Sequence, residues 1–266
     1  MLLIEGLLEP FVTALVGGGA VAGGKRGIEL IKERRPLKKL FPFDKKKKVW
    51  IVLSEVPAKE PGEFFNKASP IDGVYSFGYL SDNLQKIGLS RQQFDVRFSS
   101  EFFSGDKELD YCKDHLILIG GYENNSVSKR WNDRFSRDRR FYLEDNRIKE
   151  WSGGGKTSWG VKVDPANPKR IVQDYCLVTK MRNPFCPEET RDSWILAFEG
   201  VREFGTLGGV KYWNKEMLKY LDFKVHRDDK LEVVLEINVD YSSGVPEVKL
   251  SKNSIKCAYL KGDRVR

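Results

Sequence analysis

Histidine and cysteine are scarce in this chain of 266 residues, with two of one and four of the other. Cys112, Cys176, Cys186 and Cys257 are widely spaced, form no C-x-x-C pair and have only His115 and His226 for company. A structural zinc site needs close ligand pairs, so this spacing excludes one, and no metal ligand set is assigned. The thiols read as reduced and buried in a cytosolic domain. Missing too are the G-x-S-x-G nucleophile elbow, the H-E-x-x-H zinc helix and the G-x-G-x-x-G dinucleotide fingerprint. His115 has no serine or cysteine partner at a motif spacing. No cofactor is implied, and no repeat of solenoid length occurs.

Net positive charge is also lacking over most of the chain. The net charge is +8, yet residues 25–48 alone hold eleven Lys or Arg against Glu29, Glu33 and Asp44. The rest is close to neutral. A general nucleic-acid binder carries basic stripes across its folded body, so no nucleic-acid partner is expected. The hydrophobic fraction of 40% and aromatic fraction of 12% support a packed core rather than disorder.

The stretch "WSGGGKTSWG" (151–160) resembles a phosphate loop but lacks its first glycine. G-x-x-x-x-G-K-[ST] ending at Gly155-Lys156-Thr157 puts Glu150 where glycine belongs, a negative charge where phosphate would lie. The flanking "RFYLEDNRIKEW" and "SWGVKVDPANP" are short and half-polar, which predicts a hairpin about a Gly-rich turn. If that hairpin folds over the sheet edge, Lys156 reaches a bound phosphate as a lid.

Residues 2–24, "LLIEGLLEPFVTALVGGGAVAGG", are apolar apart from Glu5, Glu9 and Thr13. The uninterrupted part, Phe11 to Gly24, is 14 residues long, so a crossing of about 20 residues places the two acids at the outer interface. Its small residues suit close helix packing in lipid. The charge order, acidic before and basic after, argues against a cleaved signal peptide and predicts a cytoplasmic C-terminal side. A membrane anchor over 1–24 is the first expectation. A helix lying on the membrane surface and a soluble helix are the alternatives. Residues 25–48 then read as a basic juxtamembrane stub whose lysines face anionic lipid headgroups.

From Val49 the pattern changes. "VWIVLSEV", "DHLILIGG" and "SWILAFEG" read as buried strands, and "FDVRFSS" as a further strand. "SFGYLSDNLQKIG" reads as a helix stopped by Gly88, and "NSVSKRWNDRF" as one capped by Asn125 or Ser126. "TLGGVKYWNKEMLKYL" follows with Thr206 as N-cap and an apolar face of Leu207, Val210, Trp213, Met217, Leu218 and Leu221. "RFYLED", "WGVKVD", "DYCLVTKMRNPF" and the alternating tail after Lys230 read as antiparallel strands. The expectation is an α/β fold over 49–266, a Rossmann-like three-layer domain with a mixed sheet and added antiparallel strands, preceded by the N-terminal apolar helix.

Two segments share the order strand, glycine loop, helix. Ligands of open α/β sheets sit outside the carboxyl ends of strands, where helix N-termini offer amides to anions. The candidate binding residues are therefore Gly120, Gly121, Asn124 and Asn125 in the first loop. In the second, which begins at Gly200, they are Gly205, Thr206, Gly208 and Gly209. The competing explanation is that these glycines serve only turns and close packing. Lys180 and Arg182 share one strand face and suit a phosphate, or face solvent. Glu199 and Glu55 end apolar strands and are the carboxylates available as a general base or to a ribose hydroxyl.

The order of "ILIGG", "DYCLVTKMRNPFCPE" and "WILAFEGVREFGTLGGVKYW" resembles a family of bacterial and archaeal Rossmann-like proteins, over roughly 49–260. In that family the module is often joined to a membrane segment or a signalling part. By fold analogy the group is TIR-like or LOG-like. The resemblance implies nucleotide or small-molecule sensing in cellular defence and carries over no catalytic residues. The resulting expectation is a membrane-tethered cytosolic sensor for a nucleotide-type ligand, with a homo-oligomer left open. The alternatives are a nucleotide or NAD glycosidic-bond hydrolase, and a membrane-associated interaction protein without a ligand.

Overall fold

The computed structural model describes residues 35–55, 71–102, 113–135, 138–151, 157–186, 192–214, 217–221, 224–251, 253–261 and 263–264. The apolar run, residues 25–34 of the basic stub, Cys112 and Lys156 lie outside them. Among the described residues, no helix is long and apolar enough to cross a membrane.

The apolar runs become strands. In chain order, β1 (Val49–Leu53) precedes α1 (Ile71–Lys86) and β2 (Phe94–Phe98), and β3 (His115–Ile119) precedes α2 (Ser126–Phe135). A meander of β4 (Phe141–Glu144), β5 (Arg147–Glu150) and β6 (Ser158–Gly160) follows, then β7 (Lys162–Asp164) and the long β8 (Asn167–Arg182). β9 (Trp194–Gly200) feeds α3 (Glu203–Tyr212) and α4 (Met217–Tyr220). β10 (Leu231–Asp240), β11 (Glu247–Lys249), β12 (Ile255–Leu260) and β13 (Asp263–Arg264) come last. The main sheet has the order β13-β12-β10-β8-β9-β3-β1-β2, with β11 on β10 and β7 on β8. β2, β1, β3 and β9 are mutually parallel, while β8, β10 and β12 run antiparallel to their neighbours. This is a mixed α/β architecture with a central mixed sheet, consistent with a Rossmann-like fold.

The sheet is covered on both faces, which explains why "HLILI" is apolar without alternation: all five of its residues are buried. In β9, Trp194, Leu196 and Phe198 face one core with α1 and α3. Ile195 and Ala197 face the other, against Val127 and Trp131 of α2. The meander covers the antiparallel half of that second face, laying Phe141, Leu143 and Ile148 on Leu177, Val234 and Tyr259. Residues 35–40 are helical, and Leu37 and Leu40 pack into the first core. Cys176, Cys186 and Cys257 are buried.

Several boundaries differ from the sequence reading. α1 begins at Ile71, five residues ahead of the apolar pattern, and ends before Gly88 at φ 93. The helix expected from Thr206 to Leu221 is two pieces. α3 starts at Glu203 with Arg202 at the N-cap position, so Thr206 sits inside the helix. α3 ends at Tyr212 with Trp213 as its C-cap, and α4 begins at Met217. Val210, Trp213, Met217 and Leu221 are nevertheless all buried in the first core, because the break preserves the buried side. β8 is not a polar accessory strand: from Tyr175 to Met181 it is buried at the centre of the sheet.

Candidate functional site

The chain places β2 and β3 on opposite sides of β1, so the direction of winding reverses between β1 and β3. A crevice opens at the carboxyl ends of strands at such a point. Here a cleft of about 360 Å³ is lined by Ser54, Gly120, Gly121, Tyr122, Glu123, Asn124, Leu143, Asn146, Gly200, Val201, Arg202, Glu203 and Thr206. The two glycine loops thus converge on one site. Backbone bonds hold its floor: Ser54 N donates to Ile119 O at 3.1 Å and Gly120 N to Phe198 O at 3.0 Å. Gly120 has φ +99, and a Cβ there would lie 2.6 Å from Ser54 Oγ, so the turn requires glycine twice over.

Both helix N-termini beside the cleft are occupied by the protein itself. The Asp174 carboxylate, fully buried on β8, accepts hydrogen bonds from Gly205 N at 2.6 Å, Tyr175 N at 2.7 Å and Arg202 N at 3.2 Å. It is the anion at the start of α3. Burial raises its pKa to about 6, against the lowering effect of those three amides. At α2, Asn125 Oδ1 accepts from Val127 N and Ser128 N, both at 3.1 Å, and Ser99 Oγ accepts from Ser126 N. Asn125 Nδ2 donates to Val52 O and Ile119 O, which ties the cap to β1 and β3. Asn125 is therefore the α2 cap, with every polar atom of its side chain used inside the fold.

The other expected site residues divide by location. Gly120, Gly121, Asn124 and Thr206 line the cleft. Thr206 Oγ1 accepts from Gly200 N at 3.2 Å, which pins the second loop. Gly205, Gly208 and Gly209 seat α3 on the sheet. Added Cβ atoms would lie 2.2 Å from Tyr175 O, 2.5 Å from Ile237 Cγ2 and 2.3 Å from Cys176 Sγ respectively. Lys180 and Arg182 pair with Leu196 and Trp194, toward the amino end of β9, four and six residues from Gly200. At about 3.3 Å per residue this sets them ~13 and ~20 Å from the cleft. Lys180 is fully buried and donates to Lys39 O at 2.6 Å, His226 O at 3.1 Å and Arg227 O at 3.2 Å. Burial lowers its pKa to about 8. Arg182 covers the Trp194 ring at 4.2 Å and pairs with Asp228 at 3.3 Å.

Neither candidate carboxylate lines the cleft. Glu199 is fully buried on the α2 face, where it forms an ion pair with Arg139. Arg139 also donates to Thr179 Oγ1 at 3.3 Å and lies 4.2 Å over the Trp131 ring. Burial raises the Glu199 pKa while Arg139 opposes the rise. Glu55 Oε1 accepts from Ser100 N at 3.1 Å and Ser100 Oγ at 2.8 Å, which fastens the loop after β2. His115 is buried at the amino end of β3, its Nδ1 accepting from Trp194 N at 3.1 Å and its ring 5.0 Å from Phe43. Desolvation lowers its pKa to about 4.

The expected hairpin about residues 151–157 is present as β5 and β6. It is the other end of β5 that reaches the cleft. Asp145 and Asn146, at φ 51 and φ 56, make the β4–β5 turn, and Asn146 lines the cleft mouth with Leu143. Lys156, the proposed lid residue, lies outside the described residues. Asp-Asn between two alternating strands was a turn signal open to sequence reading. Ser54, Tyr122, Val201 and Arg202 had no such signal, because only the parallel packing of β1, β3 and β9 brings their loops together. Comparison of the sequence with protein-family models found no match, and comparison with the curated proteins found none either.

Proposed function

We propose that this chain is a membrane-tethered module that binds a small polar molecule, nucleoside-like in size, at the carboxyl ends of β1, β3 and β9. One observation carries the reading: the two glycine loops converge on a cleft, while Glu199 and Glu55 are engaged elsewhere. A binding role is thereby favoured over glycosidic-bond hydrolysis by Glu199 or Glu55; the carboxylates that do line the cleft are Glu123 and Glu203. The volume of about 360 Å³ is at the small end of ligand pockets. Cleft-side recognition falls to backbone groups of the glycine turns and to Ser54, Asn124, Asn146 and Thr206. Asp174 and Asn125 fill the helix N-termini, and Glu123 and Glu203 line the cleft beside Arg202. A nucleoside or another neutral or cationic polar molecule suits this lining better than a polyphosphate. The membrane tether in this reading is the apolar sequence of residues 2–24 followed by the basic stub. Sensing in defence rests on the family resemblance.

The test is a thermal-shift screen of the full chain in mild detergent against nucleosides, nucleotides, NAD and cyclic nucleotides. A ligand at a hundred times its Kd adds about 2.7 kcal/mol and raises the melting temperature measurably. Asn124→Trp, which fills the cleft mouth from an exposed position, removes that rise. Absence of any shift at millimolar ligand refutes the reading, and turnover of NAD that Asn124→Trp abolishes would replace it with the enzymatic one.

A further inference from the structure

The end of the sheet opposite the cleft has a different electrostatic character. The amino ends of β1, β3, β9 and β10 meet there, preceded in sequence by residues 44–48, 113–114, 192–193 and 224–230. Lys45, Lys46, Lys113, Lys224 and Arg227 are all exposed on this edge. Its acids are turned to other tasks. Asp44 accepts from Lys46 N and Lys47 N, Asp114 from Lys48 N and Trp50 Nε1, and Asp192 and Asp228 pair with Lys47 and Arg182. Among the described residues, Lys46, Lys113 and Lys224 form no ion pair, so their charge is directed to solvent.

The chain also enters the body at this edge. Lys180 Nζ holds Lys39 O, the Arg227 guanidinium holds Pro42 O at 2.8 Å, and Trp213 Nε1 donates to Leu40 O at 3.4 Å. These bonds anchor residues 39–42, within the basic stub of 25–48, at the lysine-rich edge and not at the cleft.

We infer that the amino edge of the sheet is itself a docking surface for an anionic lipid bilayer. It adds Lys113 and Lys224 of the folded body to the lysines of the stub, and turns the cleft away from the membrane. This extends the membrane-associated reading above and does not depend on the cleft being filled. Two observations favour lipid over nucleic acid. The edge is richer in lysine than in arginine, and lysine is a point charge suited to headgroups rather than a bidentate reader of bases. Its nearest sequence neighbours toward the N-terminus are the rest of the stub and then the run Phe11 to Gly24, apolar but for Thr13.

Co-sedimentation of the full chain with phosphatidylcholine vesicles, with and without phosphatidylserine, tests this. Binding to the neutral vesicles reports the apolar segment alone, and the phosphatidylserine-dependent increment reports docking. The triple variant Lys46→Glu, Lys113→Glu, Lys224→Glu is expected to lower the increment by more than the about fivefold per lysine that loss of the charge alone accounts for, so beyond a loss on the order of a hundredfold in all. The matching Lys→Gln variant lowers it less. Lys162→Glu with Lys169→Glu, at exposed positions toward the other end of the sheet, leaves it unchanged. An increment untouched by both triple variants overturns the proposal, as does an equal loss in the distant pair, which would mean attraction by net charge alone. Loss of duplex DNA binding in the triple variants with vesicle binding intact overturns it in favour of a nucleic-acid partner. Melting temperatures equal to that of the parent confirm that the variants are folded.

Discussion

Alanine at Gly209 separates a packing glycine from a ligand-contacting one. The new Cβ would lie 2.3 Å from Cys176 Sγ, 3.0 Å from Cys176 Cβ and 3.6 Å from Phe198 Cδ1. Comfortable contacts lie near 3.5–4.0 Å, so either α3 lifts off β8 or the thiol is displaced within a full core. Overpacking of this kind costs about 1–3 kcal/mol. Alanine returns about 1 kcal/mol of helix propensity relative to glycine. The net expectation for Gly209→Ala is a loss of about 1–2 kcal/mol. Cys176→Ala alone removes one buried sulfur and costs about 1 kcal/mol. Combined, the two changes relieve each other, since the sulfur is gone from the place the methyl enters. The double variant should be about 1 kcal/mol or more better than the sum of the singles, as measured by guanidinium unfolding followed by tryptophan fluorescence. Additivity within about 0.5 kcal/mol would refute the packing argument. So would a Gly209→Ala protein of unchanged stability that loses cleft ligand binding.

Three further outcomes follow from the buried polar groups. Asp174→Ala leaves the Tyr175, Arg202 and Gly205 amides without their acceptor. At about 1–3 kcal/mol each, less the relief of a buried charge, the net loss in urea unfolding should be about 3 kcal/mol, with weakened cleft binding as α3 frays. Glu199→Gln strands the Arg139 guanidinium in the interior and should cost about 3–5 kcal/mol; a general base would instead be lost with the melting temperature unchanged. His115 is held at about 4 in the fold against 6.5 in the unfolded chain. The unfolded chain therefore binds the extra proton, and this group's contribution is intact above about pH 6.5 and drains away as pH falls toward about 4, by roughly 3 kcal/mol. Asp174, raised to about 6, works the other way: its ionisation costs stability as pH rises through that value. Comparing the pH profile of His115→Gln with that of the parent isolates the histidine, whose slope between those two pH values should vanish in the variant.

Much of the strand pattern was legible because burial on two faces leaves a local mark. "VWIVL", "HLILI" and "WILAFEG" are apolar at nearly every position, and all three are central strands. Gly88 as a helix stop, and Asn125 as one of two cap candidates beside Ser126, are legible in the sequence, since φ and cap hydrogen bonds are decided within a few residues. The start of α3 was misread because Thr206 has the chemistry of an N-cap. The real cap at that helix is Asp174, 31 residues upstream and on another strand. Glu199 looked like a carboxylate at a strand end, and nothing near it in sequence announced Arg139 from across the fold.

The division between chain and fold follows the range of the forces involved. Local sterics and hydrophobic period made "LILIGG" and "ILAFEG" strands that end in glycine, whatever lay around them, so the two loops were visible as a pair from the start. Their convergence was not. It depends on β3 lying between β1 and β9, a matter of strand order that no short stretch encodes. Whether each glycine meets ligand space or a neighbouring strand depends on the same packing. Gly120 and Gly121 line the cleft while packing against Ser54 and Gly200 O, whereas Gly205, Gly208 and Gly209 close on Tyr175, Ile237 and Cys176. A glycine permits close approach; the tertiary structure alone decides what approaches.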